Sequence, residues 1–191
     1  IRAMGTVGGN IGTASPIGDG PPPLIALGAS ITLASKSNGA RTLPLEDFFL
    51  DYRKTELRPD EVIAAVAVPR PKTGEEFRVY KLSKRFDQDI SAVCGAFSVR
   101  IDEGRVAEAR IAFGGMAGTP KRAAAVEAAL TGKPWTDEAV VAAWDAWEED
   151  FAPMSDMRAS SEYRMAAARN MLTRYLLEDL GAATDVRRVR A

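Results

Sequence analysis

The sequence changes period at Gly114-Gly115, and that change limits the fold more than any other feature. Before it, Phe77 to Leu82 alternates Phe77, Val79 and Lys81 against Arg78, Tyr80 and Leu82. Ala92 to Ile101 and Arg105 to Phe113 read as two further strands around Asp102-Glu103-Gly104, a hairpin turn. Three antiparallel strands are implied. Beyond the glycines the spacing is helical. Pro120 to Thr131 is alanine-rich and stops at Gly132. Thr136 caps a helix over Asp137 to Phe151, whose first-turn acids suit the helix dipole. A third helix starts at Ser160 or Ser161 and runs to Glu178, with Gly181 ending it. Its apolar stripe is Met165, Ala168, Met171, Leu172, Tyr175 and Leu176. Strands gathered together and followed by helices make an α+β order, not an alternating βαβ one.

The first third is also mainly β. A short helix is predicted from Pro21 to Leu27, stopped by Gly28. Strands follow at Ser30 to Ala34 and Arg41 to Leu45, around a Ser37-Asn38-Gly39 turn. Glu46-Asp47-Phe48-Phe49 reads as a turn packed on the core. Glu61 to Val68 is a strand that Pro69 ends. Pro69 to Gly74 is the best linker. The expected division is residues 1–70, residues 71–183 and a charged tail at 184–191.

Composition narrows the chemistry. Among 191 residues, Lys plus Arg number 25 and Asp plus Glu 26, so nothing in the charge balance points to nucleic acid or an anionic membrane. No apolar run approaches the ~20 residues of a membrane helix. There is no histidine, which removes the commonest general base and metal ligand. The one cysteine, Cys94, cannot hold an iron–sulfur cluster or a structural zinc, so no metal site is expected. Redox chemistry would need an organic cofactor. Sparse cysteine fits a reducing cytoplasm. The start at Ile1 suggests a piece of a longer polypeptide.

The candidate site is the opening, MGTVGGNIGTASPIGDG at residues 4–20. Gly5, Gly8, Gly9 and Gly12 permit close backbone approach, and Thr6, Asn10, Thr13 and Ser15 carry donors. Together they could wrap a diphosphate through dipoles, since no Lys or Arg lies between Met4 and Gly20. The loop has neither a Walker A sequence nor the strand–loop–helix context of a Rossmann site. On pattern alone, a diphosphate cradle and a plain glycine-rich turn stand level. Asp19 either meets ribose or ribityl hydroxyls or caps the helix at Pro21.

Elsewhere the bland readings lead. Ser83 to Asp89 is a solvated charged loop, with a mobile cover over a site as the sharper reading. Lys81 is a solvent-facing lysine. Trp144 and Trp147 are core residues. Cys94 is a buried apolar residue.

Several ordered motifs carry a resemblance over nearly all of residues 1–183. The opening MGTVGGNIGTASPIGD resembles the second half of the FAD-binding region of molybdenum hydroxylases, which include xanthine dehydrogenases, aldehyde oxidases and carbon monoxide dehydrogenase flavoproteins. It is most similar to xanthine dehydrogenase. Tyr52-Arg53-Lys54-Thr55, Arg58-Pro59-Asp60-Glu61 and Phe113-Gly114-Gly115-Met116 follow in the family's order. The helix at Ser160 to Leu180 resembles its closing helix.

The resemblance implies the second subdomain of a two-part, vanillyl-alcohol-oxidase-like FAD domain, followed by a flavoprotein C-terminal domain with a three-stranded antiparallel sheet and a helical bundle. The first subdomain, with its own glycine loop, would lie outside this chain. By position, Thr6, Gly8, Gly9, Asn10, Thr13, Ser15 and Asp19 would contact FAD. Ile63 would lie against the isoalloxazine ring. Lys81 would place its charge beside the cofactor and favour the reduced flavin. The loop from Ser83 to Ile90 matches a segment governing nicotinamide access. Gly12 stands where relatives often carry a bulkier apolar residue, and Phe86 replaces a common basic one. No catalytic side chain is implied. Electrons from purine oxidation at a molybdopterin centre would cross 2Fe-2S clusters and FAD to NAD+. The partners would be an N-terminal FAD subdomain, 2Fe-2S domains and a molybdopterin-binding large subunit in a hetero-oligomer. Aldehyde- or CO-oxidising relatives, or a cofactor-free interaction domain of the same fold, are the alternatives.

Overall fold

The structure is a computed structural model and describes residues 4–85 and 89–184. The opening is not all loop. Val7–Gly12 forms a helix, α1, although four of its six residues, Gly8, Gly9, Asn10 and Gly12, are poor helix formers. Thr6 caps it, and Ile11 is fully buried beneath it. Burial and capping outweigh the cost of its glycines. Ala14, at φ 45°, ends the helix in the left-handed region. The next helix, α2, is Pro21–Ala26 with prolines opening its first turn. Its N-cap is Gly20, with no side-chain cap, so Asp19 does not serve as one.

Strands β1 (Ser30–Ser35), β2 (Gly39–Pro44) and β5 (Glu61–Ala67) form an antiparallel sheet in the order β2-β1-β5. Between them lie a 3-10 turn at Leu45–Phe48 and a small β3 (Phe49–Asp51), β4 (Lys54–Thr55) hairpin. Arg53 turns that hairpin at φ 55°. The turn packs on the core as expected, with Phe48 fully buried.

The second sheet is β6 (Glu75–Leu82), β7 (Val93–Asp102), β8 (Arg105–Gly114) and β9 (Lys121–Arg122), antiparallel and in that order. The three expected strands are there, and β9 adds a fourth. Lys121 and Arg122 were expected inside a helix. They pair instead with Phe113 and Ala112, and the helix α3 begins at Ala124–Leu130. The helix expected over Asp137 to Phe151 is two pieces, α4 (Asp137–Ala142) and α5 (Ala146–Asp150). Ala143 and Trp144 donate to carbonyls three residues back, which tightens the chain between them. Arg169 donates to the Trp144 carbonyl at 2.8 Å, beside the Trp147 N–H at 3.4 Å. The long α6 is Ser161–Asp179, capped by Ser160.

The two faces of β7 and β8 differ. Phe97, Val99, Ile111 and Phe113 project into a core with α3 to α6, where Trp147 stands edge-on to Phe113 at 5.3 Å. Ala96 and Ala112 project the other way, into a core with Ile11, Ile25, Ile31 and Leu33. Trp147 is thus core, while Trp144 is half-buried beneath Arg169. Cys94 is 1% exposed, and burial, aided by the Asp19 charge, pushes its thiol up to about 12. It behaves as an apolar residue.

Candidate flavin site

Each turn of the opening is tied locally. Thr6 Oγ1 accepts the Gly9 N–H at 2.9 Å. Thr13 Oγ1 donates to the Asn10 carbonyl at 2.8 Å, and Ser15 Oγ accepts the Ile17 N–H at 3.4 Å. Thr6, Gly9, Asn10 and Thr13 remain exposed, so these short bonds orient the residues without hiding them. A first helical turn leaves N–H groups without helical acceptors, and here Thr6 satisfies only that of Gly9.

Glycine sets the approach of this segment to its surroundings. Gly8 and Gly12 lie one turn apart and face Ile63 on β5. A Cβ would sit 3.7 Å from Ile63 Cγ2 at Gly8 and 3.4 Å from Ile63 Cδ1 at Gly12. Ile63 stays half-buried at the edge of a groove of about 290 Å³ lined by Val7, Gly8 and residues 63–66. A Cβ on Gly20 would lie 2.3 Å from Asn10 Oδ1, which ties Asn10 to the backbone beside Asp19. On the small face of the sheet, a Cβ on Gly114 would come within 3.2 Å of the Pro16 carbonyl and of Pro22. Gly115 donates its N–H to that same carbonyl at 2.7 Å.

Lys81 is not a free lysine. Its Nζ donates to Asp19 Oδ2 at 2.6 Å and to the Asp89 carbonyl at 2.8 Å. Ser91 Oγ donates to the other oxygen of Asp19. The structure therefore joins Asp19 to Lys81, Gly8 and Gly12 to Ile63, and Asn10 to Gly20. Phe86, the resemblance's departure in the charged loop, lies outside the described residues, as do residues 185–191 of the tail.

A cleft of about 590 Å³ opens beside Ser15, Pro16 and Ile17, with Tyr52, Arg53, Met154 and Arg158 on its walls and Asp156 and Arg164 among its lining. Arg164, 2% exposed, donates to the carbonyls of Ala92 and Gly115 and to Asp156 at 2.6 Å. Burial pushes the Asp156 carboxyl up, but the N–H groups of Arg158 and Ala159 and the Arg164 guanidinium outweigh it and hold it at about 2. Arg53 has no acidic partner among the described residues, and its guanidinium lies 5.7 Å from the Tyr52 ring centre.

Sequence reading passed over Ser91, Asp156 and Arg164. Arg164 had a signal: it stands four residues before Ala168, on the apolar stripe, where a charge needs buried partners. Ser91 had none, because its partner is remote in sequence.

Residues 78–179 match the family described as the CO dehydrogenase flavoprotein C-terminal domain, and residues 1–71 match the FAD binding domain in molybdopterin dehydrogenase. The chain belongs to the FAD-binding domains of the molybdopterin dehydrogenase family. It is 40% identical over 195 residues to the nicotinate hydroxylase of Emericella nidulans, covering 97% of this chain and 14% of that protein. It is 38% identical over 154 residues to the xanthine dehydrogenase of Oryza sativa, covering 78% of this chain and 11% of that one. The chain thus spans a small part of these relatives. Among solved structures, a carbon monoxide dehydrogenase from Hydrogenophaga pseudoflava matches with a TM-score of 0.85 and 38% identity, over 91% of this chain and 60% of that chain. This FAD-binding domain has a mixed α/β, two-part architecture. No helix among the described residues is long and apolar enough to cross a membrane.

Proposed function

We propose that the chain is the flavin-binding segment of a xanthine dehydrogenase-type enzyme, which oxidises hypoxanthine or xanthine and reduces NAD+. Molybdopterin and 2Fe-2S clusters would be carried by other domains or chains of a cytoplasmic hetero-oligomer, including an N-terminal FAD subdomain and a molybdopterin-binding large subunit. When bound, FAD supplies the hydride chemistry that no side chain of this protein offers.

The donor set fits that cofactor. Thr6, Gly8, Gly9, Asn10, Thr13 and Ser15 offer exposed or half-buried N–H, hydroxyl and amide groups to a diphosphate and its neighbours. Asp19 is an acceptor for sugar hydroxyls, and Ile63 is an apolar surface for a ring. Lys81 offsets the Asp19 charge, and its ammonium, turned toward the ring, would favour a reduced, more negative flavin. The observation that carries the reading is the contact of Lys81 with Asp19 at 2.6 Å, from strand to opening loop, beside the Gly8–Ile63 contact. The NAD+ part is supported by the adjoining cleft, where Arg53, without an acidic partner among the described residues, and the Tyr52 ring suit a dinucleotide's phosphates and bases.

A second reading, a molybdenum hydroxylase acting on a nicotinate-like acid, is favoured by the relative that matches 97% of the chain. Purified holoenzyme separates them. A flavin spectrum with xanthine-dependent NADH formation is expected. Turnover of nicotinate without xanthine activity selects the second reading. A colourless complex that takes up no FAD overturns both and leaves an interaction domain.

A further inference from the structure

We propose that Ser91 is a positioning residue that fixes the charge of Lys81 at the flavin site, an inference that rests on the flavin reading above. Asp19 and Lys81 are each far from buried, with side chains 45% and 40% exposed. An ion pair so exposed is weakly held and free to rearrange. Ser91 removes that freedom. It is 1% exposed, and it precedes β7 where the Ala92 N–H is anchored on the Leu82 carbonyl at 2.7 Å. From this interior position its hydroxyl occupies Oδ1 of Asp19. Lys81 binds the other oxygen, Oδ2, so the serine and the ammonium take opposite sides of the carboxylate. The Asp89 carbonyl, two residues before Ser91, takes a second ammonium proton at 2.8 Å. An ammonium has three donors. Two are thus committed to acceptors set by the short segment 89–91, and the third has no acceptor among the described residues.

Its bond to Asp19 separates Ser91 from an ordinary buried serine. A serine that only fills space would affect stability alone. A serine that orients Asp19 would affect Lys81, and through Lys81 the flavin.

Two measurements on the full-length protein test this. In flavin-free protein, labelling of Lys81 by an amine-acylating reagent, read by mass spectrometry, is expected to rise several-fold in Ser91→Ala. In holoenzyme, the flavin midpoint potential is expected to move to more negative values in Ser91→Ala, in the direction set by Lys81→Met. The shift is expected to vanish when Ser91→Ala is added to Lys81→Met. Where Ser91→Ala does not fold, Ser91→Cys keeps the volume with a weaker donor and is expected to give a smaller shift of the same sign. Unchanged labelling and potential in the serine variant, beside a shifted Lys81→Met, overturn the role of Ser91 alone. An equal serine shift in both backgrounds overturns it too. A Lys81→Met holoenzyme with unchanged potential overturns both this inference and the role of Lys81.

Discussion

The two faces of the β7–β8 pair are built from opposite materials. One carries Phe97, Val99, Ile111 and Phe113 and meets helices through bulky side chains. The other sets Cys94, Ala96 and Ser98 opposite Gly114, Ala112 and Arg110, and apart from Arg110 it meets the opening segment and α2 through small side chains and backbone. Bulk on the first face buys stability through buried area. Smallness on the second face allows close approach, so that the Pro16 carbonyl reaches the Gly115 N–H and α2 lies against Gly114. A sheet with one large face and one small face can thus anchor a helical layer and still hold a glycine-rich segment in place.

The largest expected effect tests the bulky face. Trp147 is fully buried and touches Phe113 and Phe151. Trp147→Ala is expected to cost about 3–5 kcal/mol of stability in denaturant unfolding of the full-length protein. Flavin content per folded molecule should hold, because the opening packs on the other face. Loss of flavin in step with stability would falsify the division of labour between the faces.

The second effect is smaller in stability and larger at the site. Gly114→Val places its Cβ against the Pro16 carbonyl and Pro22, with further atoms beyond. Overpacking of this kind costs about 1–3 kcal/mol. Because Pro16 and Gly18 would be pushed from the sheet, flavin content of the purified holoenzyme is expected to fall several-fold. A variant that keeps its full flavin complement shows that close approach at Gly114 does not position the opening.

Both faces were partly legible before the structure. The Asp102-Glu103-Gly104 turn and the runs on either side of it gave away β7 and β8, and alternation gave away β6, since a period of two needs no tertiary information. α6 was legible from its stripe and its Ser160 cap. α1 was not, because glycine argues against a helix locally, and what favours it is non-local: Ile11 beneath it and Ile63 beside it. β9 was missed because two residues carry no period. The break between α4 and α5 was hidden in an unbroken helical pattern, and the Arg169 contact that accommodates it comes from another helix. At the site, residue types were readable from Thr6 to Asp19. Their partners were not: Lys81 and Ser91 meet Asp19 only through the fold.

The smallest effect joins the two faces at the end of the sheet. Arg164, from the helix layer, spans the carbonyls of Ala92 and Gly115 and depends on Asp156 for its countercharge. Asp156 titrates at about 2 in the folded protein, below the ~3.9 of an unfolded aspartate. A carboxyl depressed on folding stabilises fully above the unfolded value, and that contribution is lost as pH falls through the folded one. Stability should therefore decline between about pH 4 and pH 2, as protonation leaves the Arg164 guanidinium buried without its charge partner. Glu61, held at about 2 chiefly by its hydrogen bond from Arg41, titrates over the same range on the small-sheet side. The two are separable. Arg41 is partly exposed and keeps Glu56, whereas Arg164 is buried. Asp156→Asn and Glu61→Gln should each flatten the pH dependence of unfolding, Glu61→Gln by more, because Glu61 lies further below its ordinary value and its carboxylate is the more buried. An unchanged pH dependence in Asp156→Asn would show that the joint where Arg164 ties the helix layer to the sheet end is not acid-sensitive.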